Sequence, residues 1–221
     1  MDKYSITHET WNKVAAAYKD KFMPIELYNE TYDFFCNQVA MEGARILEIG
    51  CGPGNITHYI ARKRPDFIID ATDVAPNMIQ LAQELTPTAN CWVMDSRNIS
   101  KLTTNYDAIV CGFCLPYLSK EDFELMIQNF RKLLNENGVV YLSTIEGAYD
   151  NSGYEWSSDG AHQTYVYYYP EIYLSATLEE NGFEVDTCFR IPYERNSNRQ
   201  DIHLVMIYKK RTNNKQSNYY I

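Results

Sequence analysis

The sequence predicts an α/β fold, a doubly wound parallel sheet that closes with an antiparallel hairpin. Three observations carry that prediction. Short apolar runs alternate with segments of helical periodicity between residues 45 and 143, a cluster of glycines follows the first run, and the last two runs have no helix between them. Alternation implies right-handed crossovers, with helices on both faces and inner strands that read as continuous apolar runs. The final pair joins directly, as a hairpin.

Residues 8–22 and 25–40 place apolar side chains at helical spacing, and Pro24 between them forbids one continuous helix. Arg45 to Ile49 reads as a buried strand, followed by the glycines and by a helix with Ile56, Tyr59 and Ile60 on one face. Phe67 to Thr72 is the second strand. Pro76 then sits where a first helical turn tolerates it, ahead of Met78, Ile79, Leu81 and Ala82. Cys91 to Met94 and Tyr106 to Cys111 are the third and fourth strands. Ser119 and Asp122 form a capping box for a helix carrying Phe123, Met126, Ile127, Phe130 and Leu134, which Asn137-Gly138 stops before a fifth strand from Val139 to Ser143. Residues 144–169 make a connection longer than an ordinary strand-to-helix loop, which marks it as a functional segment. A helix from Pro170 to Asn181, ended by Gly182, leads into the hairpin of Phe183 to Ile191 with Ile202 to Tyr208. One domain over residues 1–210 is expected, with N-terminal helices in 1–43, the sheet core in 44–143 and a polar tail in 211–221.

At 221 residues, 45% of them hydrophobic and 22% charged, the chain suits a single globular domain. Its formal net charge of -9 repels phosphate backbones and anionic lipid surfaces, which argues against nucleic-acid and membrane partners. The most basic stretch, Ala61-Arg62-Lys63-Arg64, ends a predicted helix, where cations complement the dipole. The first residues lack an apolar signal core, and no run approaches the roughly 20 apolar residues of a bilayer span, so a cytoplasmic address is expected. Six scattered cysteines fit reduced thiols. Cys111 and Cys114 match CxxC but lack the second ligand pair of a metal site and the immediate helix of a redox site. None of the four histidines stands at metal-ligand spacing from another His, Cys or acid, so no metal is predicted.

The strongest local signal is Ile46-Leu-Glu48-Ile-Gly50-Cys-Gly52-Pro-Gly54-Asn55. Glycines at alternate positions, between a buried strand and a helix N-terminus, let the backbone turn tightly and come close to a ligand; a nucleoside is the natural guest. A dinucleotide turn of the form GxGxxG needs glycine at position 55, where this chain has asparagine, and that argues against a nicotinamide cofactor.

The stretch resembles the first motif of S-adenosylmethionine-dependent methyltransferases of the Rossmann-like class, an acidic residue followed by GxGxG, which Glu48, Gly50, Gly52 and Gly54 match. The resemblance runs from about Thr10 to Lys210. It implies a Rossmann-like seven-stranded sheet of order three-two-one-four-five-seven-six, with S-adenosylmethionine across the C-terminal ends of strands one to four. It further implies that Asp73 accepts hydrogen bonds from both ribose hydroxyls, with Met78 in the segment that follows. Asp95 would accept from the exocyclic amine of adenine and Ser96 would touch the ring. The segment from Cys111 to Leu118 would floor the methionine part and form the near wall of the acceptor pocket. In the small-molecule branch an N-terminal helix lies over the cofactor, and Trp11 to Tyr18 resembles it, with Tyr18 reaching the cofactor's carboxylate. The same spacing of Trp11, Val14 and Tyr18 also suits a plain core face.

No Asn/Asp-Pro-Pro-aromatic motif follows the fourth strand, so nucleobase amino groups and glutamine amides are disfavoured as targets. The expected reaction is methyl transfer to a small-molecule acceptor, by a monomer or homodimer. Residues 144–169 are expected to form the acceptor lid, with Glu146 contacting the acceptor and His162 the candidate base by its ordinary pKa. Two rivals stay open at this point: a regulatory domain that keeps the cofactor without turnover, and a nicotinamide-dependent oxidoreductase.

Overall fold

The computed structural model describes residues 2–157, 160–196 and 199–212. Two helices, α1 (Lys3–Phe22) and α2 (Asn29–Gln38), precede the sheet. Then come β1 (Arg45–Ile49), α3 (Asn55–Lys63), β2 (Ile68–Asp73), α4 (Pro76–Leu85), β3 (Asn90–Val93), β4 (Tyr106–Gly112), α5 (Lys120–Leu133) and β5 (Leu134–Ile145). A small hairpin of β6 (Gly153–Trp156) and β7 (Gln163–Val166) is followed by α6 (Glu171–Glu180), β8 (Phe183–Asn196) and β9 (Arg199–Lys210). Seven strands form one sheet in the order β3-β2-β1-β4-β5-β9-β8. The pairs from β3 to β5 are parallel, and β9 runs antiparallel to both β5 and β8. This is the predicted α/β architecture, and the helix-free link from β8 to β9 is what reverses the last strand.

The strand period of two divides the core between the faces of the sheet. Ile46, Ala108, Tyr141 and Ile207 join Phe35 and Ile60 on one side, while their neighbours Leu47, Ile109, Leu142 and Met206 join Phe123, Phe130 and Leu178 on the other. Among the described residues no helix is long and apolar enough to cross a membrane.

Several boundaries differ from the sequence pattern, each for a local reason. Helix α1 starts at Lys3 because the Asp2 carboxylate caps it, accepting from the Tyr4 and Ser5 amides at 2.9 and 3.0 Å. Helix α5 ends at Leu133. Leu134, expected on its apolar face, already pairs with Tyr106 in the sheet, and Asn137 turns the chain at φ 62°. The terminal hairpin extends beyond its apolar centre because charged cross-strand pairs continue it, Lys209 with Asp186 at 2.8 Å near one end and Arg195 with Asp201 at 3.7 Å near the other. Arg64 of the basic stretch turns inward, and its guanidinium donates to the carbonyls of Cys36, Val39 and Met41 at 2.8–3.1 Å, closing the exposed end of α2. Of the tail in 211–221, residues 213–221 lie outside the described residues.

Candidate active site

The glycine loop leaves β1 at the carboxyl edge of the sheet, where the strand order reverses between β1 and β4 and a crevice opens. Two of its glycines have different roles. Gly54, at φ +92°, lets α3 close on α4, for an added Cβ would lie 3.0 Å from Ala82 Cα. At Gly52 an added Cβ would meet nothing nearer than Tyr18 Cε1 at 3.9 Å, so it would project into open space beside the loop. That space is a cleft of about 770 Å³, open mouth included, within the range of ligand pockets.

Its floor is made by Gly50, Gly52, Asp73, Met78 and Asp95, and Ser96 also lines it. Asp73 sits at the end of β2 and accepts from the Gly52 N–H at 2.9 Å and the Ala75 N–H at 2.8 Å. Burial raises its carboxyl pKa, and these backbone bonds oppose the rise. A carboxylate offers about four acceptor positions, so both oxygens keep capacity for a ligand. Asp95 is differently placed. Arg97 donates to it four times, from its backbone N–H at 2.9 Å, from Nε at 3.0 and 3.1 Å and from Nη2 at 2.6 Å. Burial works against its ionisation, but these bonds and the guanidinium charge outweigh burial and hold the carboxyl below its ordinary value.

Helix α1 forms the roof with Tyr4, Thr7, His8, Trp11 and Tyr18. It is tied down at three places. The Tyr4 hydroxyl donates to Asp122 and accepts from the Ser119 N–H at 3.0 Å. Asn77 donates twice to Asn12, from its backbone N–H to Oδ1 at 2.9 Å and from Nδ2 to the carbonyl at 2.8 Å. Thr7 and Thr10 hold the β6–β7 hairpin at 3.1 and 2.7 Å. The Trp11 indole N–H is buried with no partner among the described residues, although it belongs to the cleft wall; an orphaned donor there points to a ligand. Burial and the Asp73 charge push the Tyr18 hydroxyl up to about 12.

The methyltransferase domain family model matches residues 20–187. The chain belongs to that family. Among its relatives is a trans-aconitate 2-methyltransferase of Mycobacterium ulcerans, 43% identical over 53 residues, which are 24% of this chain and 20% of that protein. Another is a putative methyltransferase of Invertebrate iridescent virus 6, 30% identical over 113 residues, 51% of this chain and 40% of the relative. The chain therefore matches less than half the length of these curated relatives. The fold is shared with magnesium protoporphyrin IX methyltransferase of Synechocystis, solved with bound S-adenosylmethionine, at a TM-score of 0.70 and 15% identity over 95% of this chain and 98% of that one.

Within this family fold, several residues singled out in the sequence stand away from the cleft. Glu48 lies behind the glycine loop, 2% exposed, where it accepts from Thr57 Oγ1 at 2.5 Å; burial pushes its carboxyl up to about 8. It braces α3 against β1 and does not line the cleft. Cys111 is fully buried in β4, and its neighbour Cys114 takes the place on the wall. Glu146 turns toward Arg190 on β8, at 3.4 and 3.5 Å. His162 sits just before β7 in the β6–β7 hairpin, its backbone N–H donating to Ser157 Oγ at 3.0 Å. Neither Glu146, expected to contact the acceptor, nor His162, the candidate base, is among the residues that line the cleft.

Sequence reasoning missed a lining residue. His8 lines the cleft near Asp95, and burial lowers its pKa, so the ring is neutral at neutral pH. Phe113 and Tyr117, inside the segment that the sequence set against the methionine part and the acceptor, line the cleft with Gly112, Cys114 and Leu118. Phe113 follows β4 directly, at the carboxyl edge of the sheet. Behind Phe113, His203 is buried with Nδ1 2.7 Å from the Tyr28 hydroxyl, and burial holds its pKa down to about 4.

Proposed function

We propose that this chain binds S-adenosylmethionine in the cleft and transfers its methyl group to a small-molecule acceptor. The observation that carries the reading is Asp73: a buried carboxylate that grips the glycine loop and keeps one side of each oxygen for a vicinal diol, in a chain of the methyltransferase domain family. The chemistry of the pocket fits the cofactor at three further points. Gly52 leaves room for close backbone approach, the Trp11 N–H lacks a partner among the described residues, and the Tyr18 hydroxyl stays protonated near the loop. S-adenosylmethionine supplies an electrophilic methyl group on a positively charged sulfur. The protein then contributes position, orientation and exclusion of water, since a leaving thioether needs no proton.

Helix α1 supplies most of that enclosure as a roof, and the β6–β7 hairpin of the segment expected as a lid supports α1 from outside through Thr7 and Thr10, with none of its described residues lining the cleft. Asp95 shapes the adenine end, with Arg97 holding its oxygens, and Ser96 and Met78 supply wall. The six cysteines are free, which suits a cytoplasmic setting, and a monomer or homodimer suffices because all these groups come from one chain. The test is titration calorimetry with S-adenosylmethionine and with a nicotinamide dinucleotide, followed by a metabolite screen with labelled methyl donor. Binding of the first alone, with label transferred, is the expected result. Preference for the dinucleotide refutes the reading, and tight binding without any transfer assigns the chain to regulation.

A further inference from the structure

We infer that the acceptor taken by this cleft is an uncharged, planar aromatic molecule; the inference rests on the methyl-transfer reading above. Two independent features of the cleft carry it, the shape of one end and the arrangement of charge around it.

The shape comes from four rings. Trp11 lies edge-on to Tyr18 and to Tyr117, with 5.3 Å between ring centres in each pair, and Phe113 completes the wall. Edge-to-face rings offer a flat π surface to a third ring, and their stiffness makes such a slot selective for thickness. Phe113 is held there against a conformational preference. Its backbone is left-handed, at φ 53°, which a bulky side chain seldom adopts. The surroundings enforce it: the Phe113 N–H donates to Ser143 Oγ at 3.0 Å, and its ring packs edge-on against His203 at 4.8 Å and Tyr28 at 5.3 Å. Such strain persists where a fixed side-chain position matters and the neighbours over-determine it.

Charge gives the second argument. Among the described residues, neither Lys nor Arg lines the cleft. Arg97 is bound by Asp95. Arg195 and Arg199, beyond Tyr117, form a closed network with Glu155 and Asp201: Arg195 pairs with Glu155 and, at 3.7 Å, with Asp201, and Arg199 reaches Asp201 at 3.0 Å and Glu155 at 3.6 Å. The two imidazoles at the cleft, His8 on the wall and His203 behind Phe113, are neutral, and Asp73 contributes negative charge. A carboxylate-bearing acceptor entering the ring-lined end would lose its water without gaining a protein cation, which is costly. An aliphatic ammonium would gain a cation–π contact from the ring faces, but it must shed its proton before it can accept a methyl group.

The experiment measures binding to protein saturated with S-adenosylhomocysteine, by calorimetry, using naphthol, tricarballylate and butylamine as probes. Saturation is verified first, so that failure to bind the nucleoside counts against the methyl-transfer reading and not against this inference. Naphthol should bind at least about tenfold more tightly than either other probe, and Tyr117→Leu and Phe113→Leu should each weaken it by up to about tenfold and by more than they weaken S-adenosylhomocysteine. In the labelled-donor screen, phenols or aromatic heterocycles should be methylated in preference to di- and tricarboxylic acids. Tighter binding of tricarballylate or butylamine, or no binding of naphthol, overturns the inference.

Discussion

Replacing Asp73 with alanine removes two kinds of bond at once. One is to the ligand: in the proposed site the carboxylate accepts from ribose hydroxyls, and losing hydrogen bonds to a charged group costs about 1.5–3 kcal/mol, roughly 10- to 150-fold in affinity. The other is internal, because the same oxygens hold the Gly52 and Ala75 amides at 2.9 and 2.8 Å. Those donors sit at the edge of the cleft, where water can replace the carboxylate, so the folding cost should stay near about 1–3 kcal/mol. Asp73→Ala should therefore weaken S-adenosylmethionine binding and lower the urea midpoint together. Asp73→Asn, which keeps one acceptor, should recover much of the stability and little of the affinity. Calorimetry at a temperature where circular dichroism shows each variant folded separates the two effects. Unchanged affinity in folded Asp73→Ala would refute the ribose assignment.

The loop glycines should separate in the same assays. Gly52→Val is expected to abolish cofactor binding at some cost in stability, because the backbone there has φ +55°, whereas Gly54→Ala, at φ +92° and with its Cβ pressed on Ala82 at 3.0 Å, should chiefly destabilise the protein; equal effects of the two on binding and stability would contradict the division of labour. His162→Ala and Glu146→Gln should leave cofactor affinity and turnover close to wild type, since both side chains lie off the cleft, and a large loss in either would return it to the chemistry. His203 should make stability depend on pH. Burial holds its pKa at about 4 in the fold against 6.5 in the open chain, so the unfolded state binds the proton first as pH drops. Stability is then complete above pH 6.5 and falls by about 3 kcal/mol as pH descends through 4. His203→Gln should show a shallower loss between pH 7 and 5 in urea titrations; parallel curves for the two proteins would remove this account.

Much of the frame was readable in advance because it is local. A strand buried on both faces declares itself by an apolar run, as Arg45–Ile49 does, and a glycine that must adopt positive φ cannot be replaced silently. The acid at the end of β2 was readable for a similar reason, since a helix and a return strand set its distance from the loop. Errors arose where one local signal ran across a boundary. Leu134 continued the helical period of α5 and still entered the sheet, because pairing with Tyr106 outweighs one more helical turn.

The amino-acid sequence alone thus determined the sheet, its terminal hairpin, the glycine loop and the carboxylate beside it. Tertiary structure decided which side chains face the ligand. His8 and Trp11 became roof because α1 is pinned through Tyr4 to Asp122 and through Asn12 to Asn77, contacts far apart along the chain. Glu146 left the cleft because Arg190, on a strand that returns from the other end of the domain, draws it away. Periodicity and spacing describe the chain along its length; the direction of a side chain at a loop is set by charges and surfaces that only folding brings within a few ångströms.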